Sequence, residues 1–133
     1  MRYSVKTSLA FQDSQITEIK VVDKGLEIVF SSIRVISPEG TANLSNGDGA
    51  PIATLILGQT KYAKLPKKGV LTDGELFGIP GKPLNGQIPI PLQRVGDFEL
   101  NLCYEDKEFS VRCKSIQLHV DLTVMPRANL SLH

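Results

Sequence analysis

Ile116-Gln117-Leu118-His119-Val120-Asp121-Leu122-Thr123-Val124 decides the fold. Apolar and polar residues alternate without a break, which is the period of a half-buried β-strand. Met125-Pro126 ends the run, because proline has no N–H for a neighbouring strand. Residues 126–133 then read as a flexible tail. Upstream, Phe98, Leu100, Leu102 and Tyr104 alternate with polar residues; Glu105-Asp106-Lys107 turns the chain, and Phe109, Val111 and Cys113 resume the alternation. This is a hairpin. Between Cys113 and Ile116 the apolar phase slips by one.

Further upstream, residues 16–22 form a strand and Asp23-Lys24-Gly25 a turn, with the positive φ expected at Gly25. Leu26, Ile28 and Phe30 complete a first hairpin. The phase slips again at Ser31-Ser32, as a β-bulge requires. Residues 37–50 are rich in Gly and Asn and read as one long polar loop. Ile52 to Leu57 is nearly all apolar and suggests a strand covered on both faces. Residues 70–77 suggest one short, irregular strand around Gly74. Ile88, Ile90 and Leu92 alternate with Pro89 and Pro91, which predicts a single edge strand blunted by missing donors. No helical stripe, repeat or linker interrupts this pattern. The expectation is a single all-β domain over residues 1–133, an antiparallel β-sandwich or partly open β-barrel of about seven or eight strands.

Composition agrees. Val and Ile together number 21 against 6 Ala, and Gly and Pro reach 11 and 8, which favours strands and turns. A chain of 133 residues buries roughly two-thirds of its unfolded surface, enough for a core without metals or disulfides. The net charge of +1 offers no global field for nucleic acid or an anionic membrane. The opening residues carry too short an apolar run for a secretory signal, and no segment has the length of a spanning helix. With Tyr104 and Phe109 sharing the core face, Cys113 points inward near Leu100 and Cys103 outward, so the two cannot form a disulfide. Free thiols fit a reducing compartment, and the expected location is cytoplasmic.

Catalytic equipment is sparse. His119 shares a strand face with Gln117 and Asp121. Cβ atoms at that spacing are roughly 7 Å apart, loose for a triad, and a solvated face is the simpler reading. His119 and Asp121 are the only residues an enzyme reading can name. Gly78-Ile79-Pro80-Gly81-Lys82-Pro83 fails the phosphate-loop spacing, and Asn46-Gly47-Asp48-Gly49 lacks the acidic set of a calcium loop. No cofactor or metal site is expected. Lys61, Lys64, Lys67 and Lys68 form a basic loop with no acid among them, a candidate anion contact. Glu105, Asp106 and Glu108 make an acidic hairpin tip, which can meet that loop between copies of the protein. Leu76, Phe77, Ile79 and Leu84 place apolar side chains in a Gly- and Pro-rich connection and form the candidate contact surface for a partner or a homodimer.

Phe11-Gln12-Asp13-Ser14-Gln15-Ile16-Thr17-Glu18-Ile19, with the turn and Leu26-Glu27-Ile28-Val29-Phe30, resembles the opening hairpin of small bacterial all-β proteins, several of them presumed immunity proteins of polymorphic toxins. Gln12 departs from the aromatic-His-Asp order of that pattern, and the resemblance covers about twenty residues. It implies a non-enzymatic protein that binds a protein partner. From the residues alone, Asp13 and Ser14 read as local backbone caps where a strand begins. The leading expectation is a non-catalytic binding or interaction module, acting through a protein partner or self-association. A small-molecule or carbohydrate-binding β domain is the alternative, weakened by the absence of Trp.

Overall fold

The computed structural model describes residues 7–45, 50–80 and 85–121. Residues 46–49, Leu84, the end of the deciding strand at 122–124 and the tail at 126–133 lie outside these. Among the described residues there is no helix; nine antiparallel strands form one strongly curled half-barrel sheet. A single curled sheet takes the place of a two-sheet sandwich.

The strands are β1 (Ser8–Val22), β2 (Gly25–Ser37), β3 (Gly40–Ser45), β4 (Ala53–Gly58), β5 (Gly69–Val70), β6 (Asp73–Phe77), β7 (Gln87–Pro89), β8 (Leu92–Cys103) and β9 (Glu108–Val120). Their order across the sheet is β5-β1-β2-β4-β9-β8-β6, with β3 beside β2 and β7 beside β1. The inward residues of β9, Phe109, Val111, Cys113, Ile116 and Leu118, are all at most 9% exposed. Cys113 therefore points into the core and Cys103 is only partly covered; both are free.

The phase slips are bulges. On β1, Phe11 to Ser14 stand opposite Ile33 alone, and on β2 Ser31 has no partner between Ser32 and Phe30. On β8, Gly96 and Asp97 interrupt the register between Val95 and Phe98, opposite the slip in β9. Bulges bend and twist the strands that carry them, which lets one sheet curl this far. The Phe11–Ser14 excursion turns its backbone away from β2. Phe11 N–H reaches Gly86 O at 3.0 Å, Asp13 N–H reaches Leu71 O at 2.9 Å, and Leu71 N–H reaches Ser14 O at 2.9 Å. Ser14 is fully buried; its hydroxyl donates to Ala10 O at 2.7 Å and accepts from Arg34 N–H at 3.3 Å. Asp13 takes a φ of 69° and pairs with Arg34 at 3.1 Å.

One stretch spans the open side of the curl. Gly69 and Val70 pair with Ile16 and Gln15 on β1. Thr72 N–H then reaches Cys103 O, and residues 73–77 pair with β8. The two ends of the sheet are thereby held by a single segment. Leu9, Phe11, Phe30, Leu55, Leu100 and their neighbours fill the concave side as one continuous apolar cluster. Each fully buried aliphatic or aromatic side chain contributes about 1.5–3 kcal/mol there.

Five expectations need correction. The predicted polar loop over 37–50 contains β3, which pairs in register with β2 and sends Leu44 into the core. The 70–77 strand is two strands, because the chain crosses from β1 to β8 at Leu71 and Thr72. Pro89 and Pro91 do not share an edge strand: β7 ends at Pro89 on β1, and β8 starts at Leu92 on β9. β4 has one buried face, and its other face is half-covered. The positive φ of the first turn falls on Asp23, at 53°. Gly25 is needed for another reason, since a Cβ there would strike the carbonyl oxygen of Leu57.

Candidate interaction surface

The convex face of β6, β8 and β9 carries one row of side chains in register. Phe77 lies opposite Glu99, Glu99 opposite Arg112, and Arg112 opposite Lys61. Lys61 joins the row through two backbone hydrogen bonds, its N–H to Arg112 O and Arg112 N–H to Lys61 O, both 2.9 Å. Residues directly opposite one another in an antiparallel pair project to the same side. The chain order base, aromatic, acid, base thus becomes the spatial order aromatic, acid, base, base across four segments. Phe77 stands out of the surface at 50% exposure. Gly78, with φ 110°, lets the chain leave β6 pressed against β8, because a Cβ there would strike Asp97 O.

This row borders an open cleft of about 370 Å³. Phe77 and Gly78 form one wall, Gln59 and Lys61 the other, and Asp97, Glu99, Arg112 and Lys114 cross the floor. Arg112 Nε is 3.8 Å from Glu99 Oε1. Lys114 donates a hydrogen bond to Asp97, and this bond, with the ammonium charge, holds the Asp97 carboxyl below its usual range. Lys61 has no ion pair among the described residues. The cleft therefore has an uncompensated cationic end and an aromatic end.

The cysteines near it are not activated thiols. Cys113 underlies the floor, but its thiol is buried, and burial pushes its pKa up to about 11. The Cys103 thiol is also pushed up, first by burial and then by the Glu108 and Asp73 carboxylates. A raised pKa leaves little thiolate at neutral pH. Among the described residues, no group of three His, Cys, Asp or Glu side chains is placed to hold a metal ion.

The structure separates the sequence-predicted residues. Leu76 is 3% exposed and belongs to the core, so it offers nothing to a surface. Phe77 is exposed, Ile79 packs partly against the core, and Leu84 lies outside the described residues. Of the four lysines, Lys61 lines the cleft. Lys67 turns to the acidic hairpin tip of its own chain, with Nζ 3.3 Å from Asp106 Oδ1 and 5.4 Å from the centre of the Tyr104 ring. The basic loop and acidic tip therefore meet within one molecule. Lys64 and Lys68 are exposed, without an ion pair among the described residues. His119 is exposed opposite Thr54, and Asp121 N–H bonds Ile52 O.

Sequence reasoning missed Glu99, Arg112, Asp97 and Lys114. The signal was present: these are outward residues of one hairpin, acids on the first strand and bases on the second. Among the described residues, no helix is long and apolar enough to cross a membrane. Comparison with protein-family models, with curated proteins and with solved structures finds no match for this chain.

Proposed function

We propose that this chain is a non-catalytic binding module acting through a protein partner, with the convex face around Phe77 as its contact surface. The observation that carries the reading is a half-exposed aromatic ring standing beside an open cleft, on a fold whose concave side is filled by its own core. Buried aromatic anchors supply much of the energy of protein interfaces, and an aromatic exposed in the free protein is a natural candidate for one. The filled concave side supports this reading over a ligand-enclosing barrel. The resemblance of the opening hairpin to presumed immunity proteins points the same way. Free thiols on opposite faces of one hairpin are in keeping with a reducing, cytoplasmic setting.

The test is affinity capture with the wild type and with Phe77→Asp, followed by reconstitution of each captured protein in purified form. A partner lost by Phe77→Asp, with the circular dichroism spectrum unchanged, is the expected result. Equal retention by both proteins would discard the surface. Light scattering on the same pair covers self-association, for which Phe77→Asp should lower the mass.

A further inference from the structure

Resting on that reading, we infer that the partner presents an extended peptide segment in which a carboxylate and an apolar side chain are spaced four residues apart. The carboxylate docks between Lys61 and Arg112, and the apolar side chain docks on Phe77.

Two cations directly opposite each other in an antiparallel pair repel. Lys61 and Arg112 are held in that relation by two backbone hydrogen bonds. Among the described residues only Glu99 answers them, from 3.8 Å and on the far side of Arg112. Asp97 is engaged by Lys114. A carboxylate arriving at Lys61 and Arg112 removes this repulsion, so the cationic end selects an acid. The acid-free loop that continues to Lys64 and Lys68 extends the same field.

The spacing follows from sheet geometry. Lys61, Arg112, Glu99 and Phe77 occupy four neighbouring segments, so the row spans three inter-strand distances of about 4.8 Å, or about 14 Å. An extended peptide advances about 3.4 Å per residue and repeats its face every second residue. The carboxylate's place midway between Lys61 and Arg112 lies about 7 Å from Glu99 and about 12 Å from Phe77, so on one face position i+4, about 14 Å along, is the position that reaches Phe77. Position i+2 falls over Glu99, where a second acid is repelled and a neutral or basic residue is accepted. The two acids among these cations also argue against a nucleic acid strand, whose successive phosphates would meet Glu99 and Asp97.

The probe is an array of capped decapeptides with a Gly, Ser and Thr background, in which one Glu and one Leu are scanned through every pair of positions. It is read with the labelled full-length chain. Peptides with Glu and Leu four apart, in either order, should bind best, and a second Glu midway should weaken them about tenfold. Lys61→Gln, which keeps the backbone pairing with Arg112, and Phe77→Ser should each reduce binding about tenfold, with melting temperature unchanged. Binding that ignores the spacing, absence of binding to any peptide, or an undiminished signal with Lys61→Gln would overturn the inference. So would tighter binding of a dT12 oligonucleotide than of any peptide. A captured partner that depends on Phe77 but not on Lys61 would defeat the inference and leave the binding-module reading standing. A partner indifferent to both would remove the two together.

Discussion

Gly74 on β6 backs directly onto the ring of Phe11 on β1: a Cβ built at Gly74 would lie 2.6 Å from Phe11 Cγ. Phe11 is fully buried and has no room to retreat. The contact lies where the two ends of the curled sheet approach each other, so the missing side chain sets how tightly the sheet closes.

Gly74→Ala should therefore destabilise the fold by about 1–3 kcal/mol, the usual cost of overpacking a well-filled core. Gly58→Ala is the control, because a Cβ there clashes with the rotatable hydroxyl of Ser115 alone and meets Ser115 Cβ at ordinary contact distance. Urea unfolding of the two variants measures the difference. Equal midpoints for Gly74→Ala and wild type would contradict the proposed tightness of the closure.

Ser14→Ala should cost about 1–3 kcal/mol, because it leaves the Ala10 carbonyl and the Arg34 amide short of a buried partner. Asp13→Asn, next to it, keeps a side chain that tolerates positive φ and gives up only an exposed ion pair. It should be nearly neutral. Thermal melts decide the matter, and a Ser14→Ala protein melting with the wild type would show that the hydroxyl does not hold the bulge.

Tyr104 gives a pH-dependent signature. Burial raises its phenol to about 12, against a backbone hydrogen bond to Lys67 that works the other way. The folded value lies above the unfolded value near 10, so the fold favours the neutral phenol. The stability linked to it is fully present below pH 10 and is lost as pH rises through about 12. Tyrosinate absorbance should show a late-ionising component in the wild type that Tyr104→Phe removes. A titration curve whose late part is unchanged by Tyr104→Phe would contradict this placement.

Much of the strand pattern was legible because alternation reports which face is buried. Phe98 to Tyr104, Phe109 to Cys113 and Ile116 to Leu118 all point as their period requires, and each phase slip marks a bulge. β3 was not legible. Its Gly40 and Asn43 resemble turn chemistry, and it becomes a strand through pairing with β2 and burial of Leu44. Pro89 and Pro91 misled because alternation cannot show that neighbouring residues have different partners. In the candidate site, the opposition of Glu99 and Arg112 follows from the hairpin register. Phe77 and Lys61 arrive from separate segments, and no local period links them.

The place of β9 between β4 and β8 has a consequence for the order in which the protein can be made. A ribosome delivers β4 long before β9, and in that interval Leu55, Ile56 and Leu57 sit on an open strand edge with no neighbour on that side. An apolar edge of this kind is a template for pairing with other nascent chains. The convex row also comes into being only when Arg112 is delivered, since that residue joins Glu99 to Lys61. Release from the risk of aggregation and the assembly of the convex row thus coincide in one late event, the insertion of β9.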